Sequence, residues 1–182
     1  MELTQAIIRE LTDYDPETGI LTWRVRDRRW FKSDANWKAW NRKYSEKSAG
    51  SPAGQELYLR CAIFGRFYRV HRIIWMWMTG DWPAHEIDHK NHDRADNRWC
   101  NLRAVTGAEN KKNRPRQKNN SSGTPGVFWA SREQKWVAAI KVSGKRRHLG
   151  YFTDKSIAIS KRKAAEIKYG FHPNHGRCGE AA

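Results

Sequence analysis

The chain has 182 residues, room for one compact domain plus a small module and not for a large multidomain enzyme. Lys and Arg number 35 against 19 Asp and Glu, a formal net charge of +16 and a pI near 10.1, the balance expected of a protein that meets nucleic acid. No apolar run approaches the ~20 residues of a membrane span, and the opening Met-Glu-Leu-Thr lacks the basic-then-apolar form of a signal peptide. Cys61, Cys100 and Cys178 are too few and too scattered for a disulfide framework, so a reducing cytoplasm is the expected compartment. Ten tryptophans either fill a core or stack against DNA, and composition alone leaves both open.

In chain order, Leu3, Ile7, Ile8 and Leu11 predict a helix of about three turns. Turn chemistry at 15–19 precedes a strand at 20–23. Residues 24–48 mix basic residues with Trp30, Phe31, Trp37 and Trp40 without a period, which predicts an exposed insertion, read either as a phosphate-contacting arm or as a solvated loop. After a Gly, Pro and Ser break at 49–54, strands are expected at 57–64 and 66–70, joined at Gly65 as a hairpin. Residues 71–79 read as a buried helix stopped by Gly80 and Pro83, with Met76 and Trp77 in the core. His71, at its start, either approaches the polar stretch that follows or fills a structural place beside apolar neighbours.

Residues 86–110, EIDHKNHDRADNRWCNLRAVTGAEN, interleave polar chemistry with regular structure more densely than any other part of the chain. Residues 86–89 end a short strand, 90–100 form a polar loop, and 102–105 alternate as a second strand. Thr106 followed by Glu109 is the pattern of a capping box, so a helix is expected to begin there and to carry Asn110 in its first turns. Asn101 and Asn110 lie twelve and twenty-one residues beyond His89.

This spacing resembles the HNH nucleases, whose site is a ββα-metal fold, and in particular their homing-endonuclease branch. The resemblance implies Asp88 as a metal ligand, His89 as general base, Asn101 as the residue that holds the base and Asn110 as the second metal ligand, with Asn97 of the DNR triplet as a competitor for Asn101. Asn110 stands where the family name expects a histidine. Carboxylate and amide oxygens are hard ligands, so the implied cofactor is magnesium or manganese. Structural zinc on His85, His89, His92 and Cys100 is an alternative, although no Cys-x-x-Cys knuckle accompanies them. Residues 1–113 are accordingly expected to form the nuclease domain, with the ββα core at about 84–113.

Residues 114–124 read as a basic linker. Beyond it, residues 126–132, 135–142 and 145–152 predict three strands and 154–169 a helix with Thr153 as N-cap. Gly126-Val127, residues 135–141 (KWVAAIK), residues 148–152 (HLGYF) and the helix alanines resemble the APETALA or ethylene-response-factor DNA-binding domain, expected here at 125–172 with a surface tail at 173–182. In that family the sheet meets the major groove. Alternation then turns Trp136, Ala138 and Ile140 inward and Lys135, Val137, Ala139 and Lys141 outward. Phe128, Ala130 and Ala139 replace the base-reading residues of the plant domains, which leaves mainly phosphate contact. The expected DNA contacts are Arg103, Lys111, Lys112, Arg114, Arg116, Lys135, Lys141, Arg146 and His148.

The sequence reading is therefore an α+β, metal-dependent endonuclease of homing type, phage or bacterial, acting on double-stranded DNA with no obligate protein partner implied. A DNA-binding regulator with a silent nuclease site is the alternative.

Overall fold

Helix α1 (Gln5–Leu11) forms where the apolar spacing predicts it, with the Thr4 hydroxyl accepting from the Ile7 N–H at its start and Ile8 and Leu11 buried. The computed structural model describes residues 2–53, 56–113, 116 and 119–177; Arg114, one of the expected DNA contacts, and Cys178 lie outside the described residues. The chain divides into two compact units, Met1–Thr106 and Gly107–Ala182. Both mix helices with small antiparallel sheets, the α+β class expected.

In the first unit, strand β1 (Thr12–Tyr14) follows α1 directly and pairs with β2 (Leu21–Trp23), Thr12 opposite Trp23. The turn between them is set by Asp15, whose carboxylate accepts from the Glu17 N–H, and by Gly19 at φ 75°. Residues 24–48 are largely exposed, as expected, but they are not an irregular loop. A 3₁₀ turn at Arg28–Trp30 leads into helix α2 (Asp34–Tyr44), capped by Ser33. Trp40 meets Trp23 edge to face at 5.6 Å, and the Arg26 guanidinium lies 3.8 Å from the Trp40 ring centre and 4.6 Å from that of Trp23. Arg26 is only 8% exposed, and burial holds its guanidinium down at about 10. Aromatic packing thus orders a segment that hydrophobic periodicity left blank.

Strands β3 (Ser51–Ala53), β4 (Glu56–Ile63) and β5 (Arg66–Arg69) form one sheet in the order β3-β4-β5. Phe64 and Gly65 both take positive φ, 50° and 76°, as the two-residue type I′ hairpin turn requires. Helix α3 (Val70–Thr79) buries Val70, His71, Ile73, Ile74 and Met76 and ends on the left-handed Gly80. Trp77 is half-buried and meets Tyr14 edge-on. Strands β6 (Glu86–His89) and β7 (Leu102–Val105) make a separate antiparallel pair, His89 opposite Leu102, at the positions read from sequence. Ile87 and Leu102 join the core built by Ile8, Leu11, Leu21, Ile63, Ile73 and Ile74.

The second unit opens with the short helix α4 (Gly107–Lys111). Its sheet is β8 (Val127–Ala130), β9 (Lys135–Val142) and β10 (Lys145–Phe152), with β9 central. Helix α5 (Lys155–Lys168) lays Ala158 and Ile159 against Val127, Trp136 and Ala138. Its N-cap is Asp154, which accepts from the Ser156 N–H, one residue beyond the Thr153 expected. Val137 and Ala139 keep to the other face as alternation demands, but they are buried, because a central strand is shielded by its neighbours on both sides. The expected surface tail also differs. His175 is 7% exposed, 3.4 Å from Arg162 Nη2, and Arg162 bonds Glu166 Oε1 and the Ala139 carbonyl.

Because Trp40 packs on both Trp23 and Arg26, Trp40→Ala should lower unfolding free energy by about 3 kcal/mol, the range for removing a packed aromatic. A loosely attached arm would give a change within about 0.5 kcal/mol, so urea unfolding midpoints decide the matter.

Candidate active site

Alternation along β6 turns Ile87 and His89 toward the core and leaves Asp88 half-buried on the opposite face. His89 is 3% exposed, and its Nε2 lies 3.1 Å from Oδ1 of Asn97, itself 1% exposed. The Asn97 amide has a defined orientation, because its Nδ2 donates to the Ala95 carbonyl at 3.2 Å. Oδ1 must then accept from His89, which puts the neutral ring's proton on Nε2 and leaves the lone pair on Nδ1. Burial pulls the His89 imidazole below its ordinary range, while the Asn97 bond and Asp88, Asp93 and Asp96 pull it back.

Asn97 is braced from the far end of the unit. The Tyr14 hydroxyl donates to its carbonyl at 2.8 Å, and the Trp99 N–H donates to Pro16 O at 3.0 Å. A Cβ on Gly19 would come within 2.4 Å of the Arg98 nitrogen, so only glycine lets the β1–β2 turn lie against this loop. Asn101, expected to hold the base, serves the loop instead. Its Oδ1 accepts from the Asn91 N–H at 3.0 Å and its Nδ2 donates to the Asp96 carbonyl at 2.7 Å. The competitor named by the sequence, Asn97, makes the bond to the ring.

Asp88 faces Arg103 directly across the strand pair, and Arg103 Nε and Nη2 both donate to Oδ2, at 3.0 and 2.8 Å. Arg103 was expected to contact DNA; here its guanidinium is engaged by the carboxylate. The donor chemistry of Asp88 fits a hard divalent ion. Among the described residues no group of three or more His, Cys, Asp or Glu is placed to hold a metal, which goes against the zinc cage of His85, His89, His92 and Cys100. Asn110, the expected second ligand, belongs to α4 in the second unit.

The structure adds two aromatic neighbours to His89. His71 meets it edge to face at 5.2 Å between ring centres, and Tyr58 lies 5.8 Å from it and 5.2 Å from His71. Tyr58 carries no sequence signal, because it sits on an apolar strand 31 residues before His89 and only pairing of β4 with β5 brings it near.

In the second unit, Lys111, Lys112, Lys141 and Arg146 line one open cleft of ≈ 1070 Å³. Arg146 and His148 pair with Lys141 and Ala139 across the sheet, so they share the outer face. Lys135 and Lys141 are exposed there. Lys112 Nζ donates to the Tyr169 carbonyl, and the N–H of Arg116, in the expected linker, donates to that of Arg177, so both residues are tied into the unit.

Two antiparallel strands, a polar loop and a histidine held by an asparagine beside an aspartate make up the candidate site. Residues 68–112 match the model of a family described as HNH endonuclease, which covers about a quarter of the chain and spans β6, β7 and the loop between them. This segment is similar to HNH endonucleases, an alliance that supports nuclease activity on DNA. No curated protein and no solved structure matches the chain.

Two measurements test this geometry. Burial, then the charges of His89, Arg69 and Arg72, hold the His71 imidazole down at about 3, against 6.5 in an unfolded chain. The unfolded chain therefore gains a proton first, and stability, level above pH 6.5, should fall by up to about 1.4 kcal/mol per unit as pH drops from 6.5 toward 3. His71→Phe should flatten that part of the curve in urea titrations at several pH values. Nitrogen-15 spectra of the imidazole should show the Nε2–H form of His89 in the native protein and a mixture of the two tautomers in Asn97→Ala, with no change of tautomer in Asn101→Ala.

Proposed function

We propose that the chain is a divalent-metal-dependent DNA endonuclease of the homing type that hydrolyses a phosphodiester bond in double-stranded DNA. The observation that carries this reading is the buried His89–Asn97 bond beside Asp88, inside the segment similar to HNH endonucleases. His89 acts as general base. Its neutral ring takes a proton from water, the resulting hydroxide attacks phosphorus, and the bond to the 3′ oxygen breaks, that oxygen leaving as a hydroxyl with a proton from solvent. A pKa lowered by burial keeps the ring neutral and ready to accept that proton at neutral pH.

Asp88 is the residue of the first unit that would hold magnesium or manganese, and Asn110 is the second ligand expected from the sequence. The bound ion supplies stabilisation for the negative charge that develops on the phosphate and the leaving oxygen. One such site cuts one strand, so a single chain nicks.

The second unit grips the duplex in this reading, supported by its exposed Lys135, Lys141, Arg146 and His148 on the sheet face away from α5. Such contacts are to phosphates more than to bases. The proposed setting is the cytoplasm of a bacterium or of a phage host, with no obligate protein partner. One observation favours a different reading, a DNA-binding regulator with a silent site: Arg103 already occupies Oδ2 of Asp88.

Nicking of supercoiled plasmid in magnesium separates the two. The native chain should convert plasmid to open circle, and His89→Ala should be slower by about 10²-fold or more while keeping its affinity for DNA. Equal rates for the two proteins would overturn the assignment of the base, and no cutting by either would favour the regulator.

A further inference from the structure

The outer face of the β3-β4-β5 sheet has no part in the chemistry above, yet it leads directly to it. Alternation along β4 places Tyr58, Arg60 and Ala62 on one face, while Cys61 and Ile63 go into the core. Register carries that face onto β5: Arg60 is opposite Arg69, and Ala62 is opposite Phe67. The result is a row of alternating cations and rings. Arg60 lies 5.4 Å from the centre of the Phe67 ring, and Arg69 lies 4.6 Å from that of Tyr58. From the loop after β6, Arg94 reaches the same Tyr58 ring at 4.8 Å. Tyr58 in turn is 5.8 Å from His89.

Three features say what covers this face. Phe67 is 72% exposed, so its ring is open to a partner laid on this face. Among the described residues, neither Arg60 nor Arg94 has a carboxylate partner, and both are exposed, so their charge is open to an anion. Planar guanidiniums held by aromatic rings are preorganised for phosphate oxygens. The run from 58 to 62 extends about 14 Å at the usual strand rise, matching about four nucleotide steps along one strand of a duplex.

We infer that this sheet face is a phosphate track on which Arg60, Arg69 and Arg94, set by Phe67 and Tyr58, seat the backbone of duplex DNA and lead it to His89. The inference rests on DNA being the substrate proposed above. It assigns a duplex-gripping role within the first unit itself, so positioning of the cut strand does not depend on the second unit alone.

Binding of the full-length protein to a linear duplex, measured in EDTA across a series of salt concentrations, tests the track where no metal-dependent cutting can occur. The double variant Arg60→Ala, Arg94→Ala should show a log–log salt slope shallower by about 1.8, at about 0.9 per lost contact. The matching double Arg→Lys variant should restore most of that slope. Circular dichroism and the urea midpoint establish that the alanine variant is folded, and Arg60→Gln, Arg94→Gln serves if it is not. An unchanged slope in a folded variant would overturn the track, whatever its cutting activity. A shallower slope in a protein that never nicks plasmid would keep the track and remove the nuclease reading.

Discussion

The hydrogen bond between His89 and Asn97 is the constraint around which the first unit is built. Both groups are almost wholly buried, so neither can exchange its partner for water, and breaking the bond would strand two polar groups in an apolar surround. The bond also sets the tautomer: by receiving the Nε2 proton, Asn97 puts the neutral ring's hydrogen on Nε2. Everything that locates Asn97 therefore locates the imidazole of His89. The Tyr14 hydroxyl, Pro16 carbonyl and Gly19 approach come from the N-terminal hairpin, more than 70 residues away in sequence, and Asn101 closes the loop from the other side.

The same unit carries charge in places where burial is costly. Arg26 has its Nε and Nη2 buried with no hydrogen-bond partner among the described residues, and the faces of Trp23 and Trp40 stand in for one. His71 is buried neutral against His89. Asp88 and Arg103 share an ion pair across two strands, which balances the carboxylate in this state of the protein and sets up a competition with any cation that Asp88 is to hold. A strongly basic chain thus spends its aromatic residues largely on ordering its own cations, and Phe67 and Tyr58 extend that habit to the surface.

The second unit is a simpler object. A three-stranded sheet presents Ala138 and Trp136 to α5, and the small side chains of that helix, Ala158 and Ala165, let it lie close. Its buried polar centre is the Arg162, Glu166 and His175 group, in which one guanidinium bonds both a carboxylate and the Ala139 carbonyl. That group ties the segment after α5 to the central strand, and leaves the cations of the opposite sheet face outward.

Strand and helix positions were legible wherever pattern is local: β6 and β7 around the Asp-His pair, the β4–β5 hairpin around Gly65, and β8, β9, β10 and α5 all follow from alternation, turn residues and apolar spacing. Asp88 and His89 were legible as a candidate pair from residue type and neighbourhood. What sequence could not settle depends on packing across long separations. Helix α2 is held by cation–aromatic stacking that has no period, β1 is too short to signal itself, and His175 is buried by a partner thirteen residues back on another element. The choice between Asn97 and Asn101 is the clearest case. Both are asparagines of one polar loop, equal by composition, and only the loop's closure onto the N-terminal hairpin turns one toward the imidazole and the other toward the backbone.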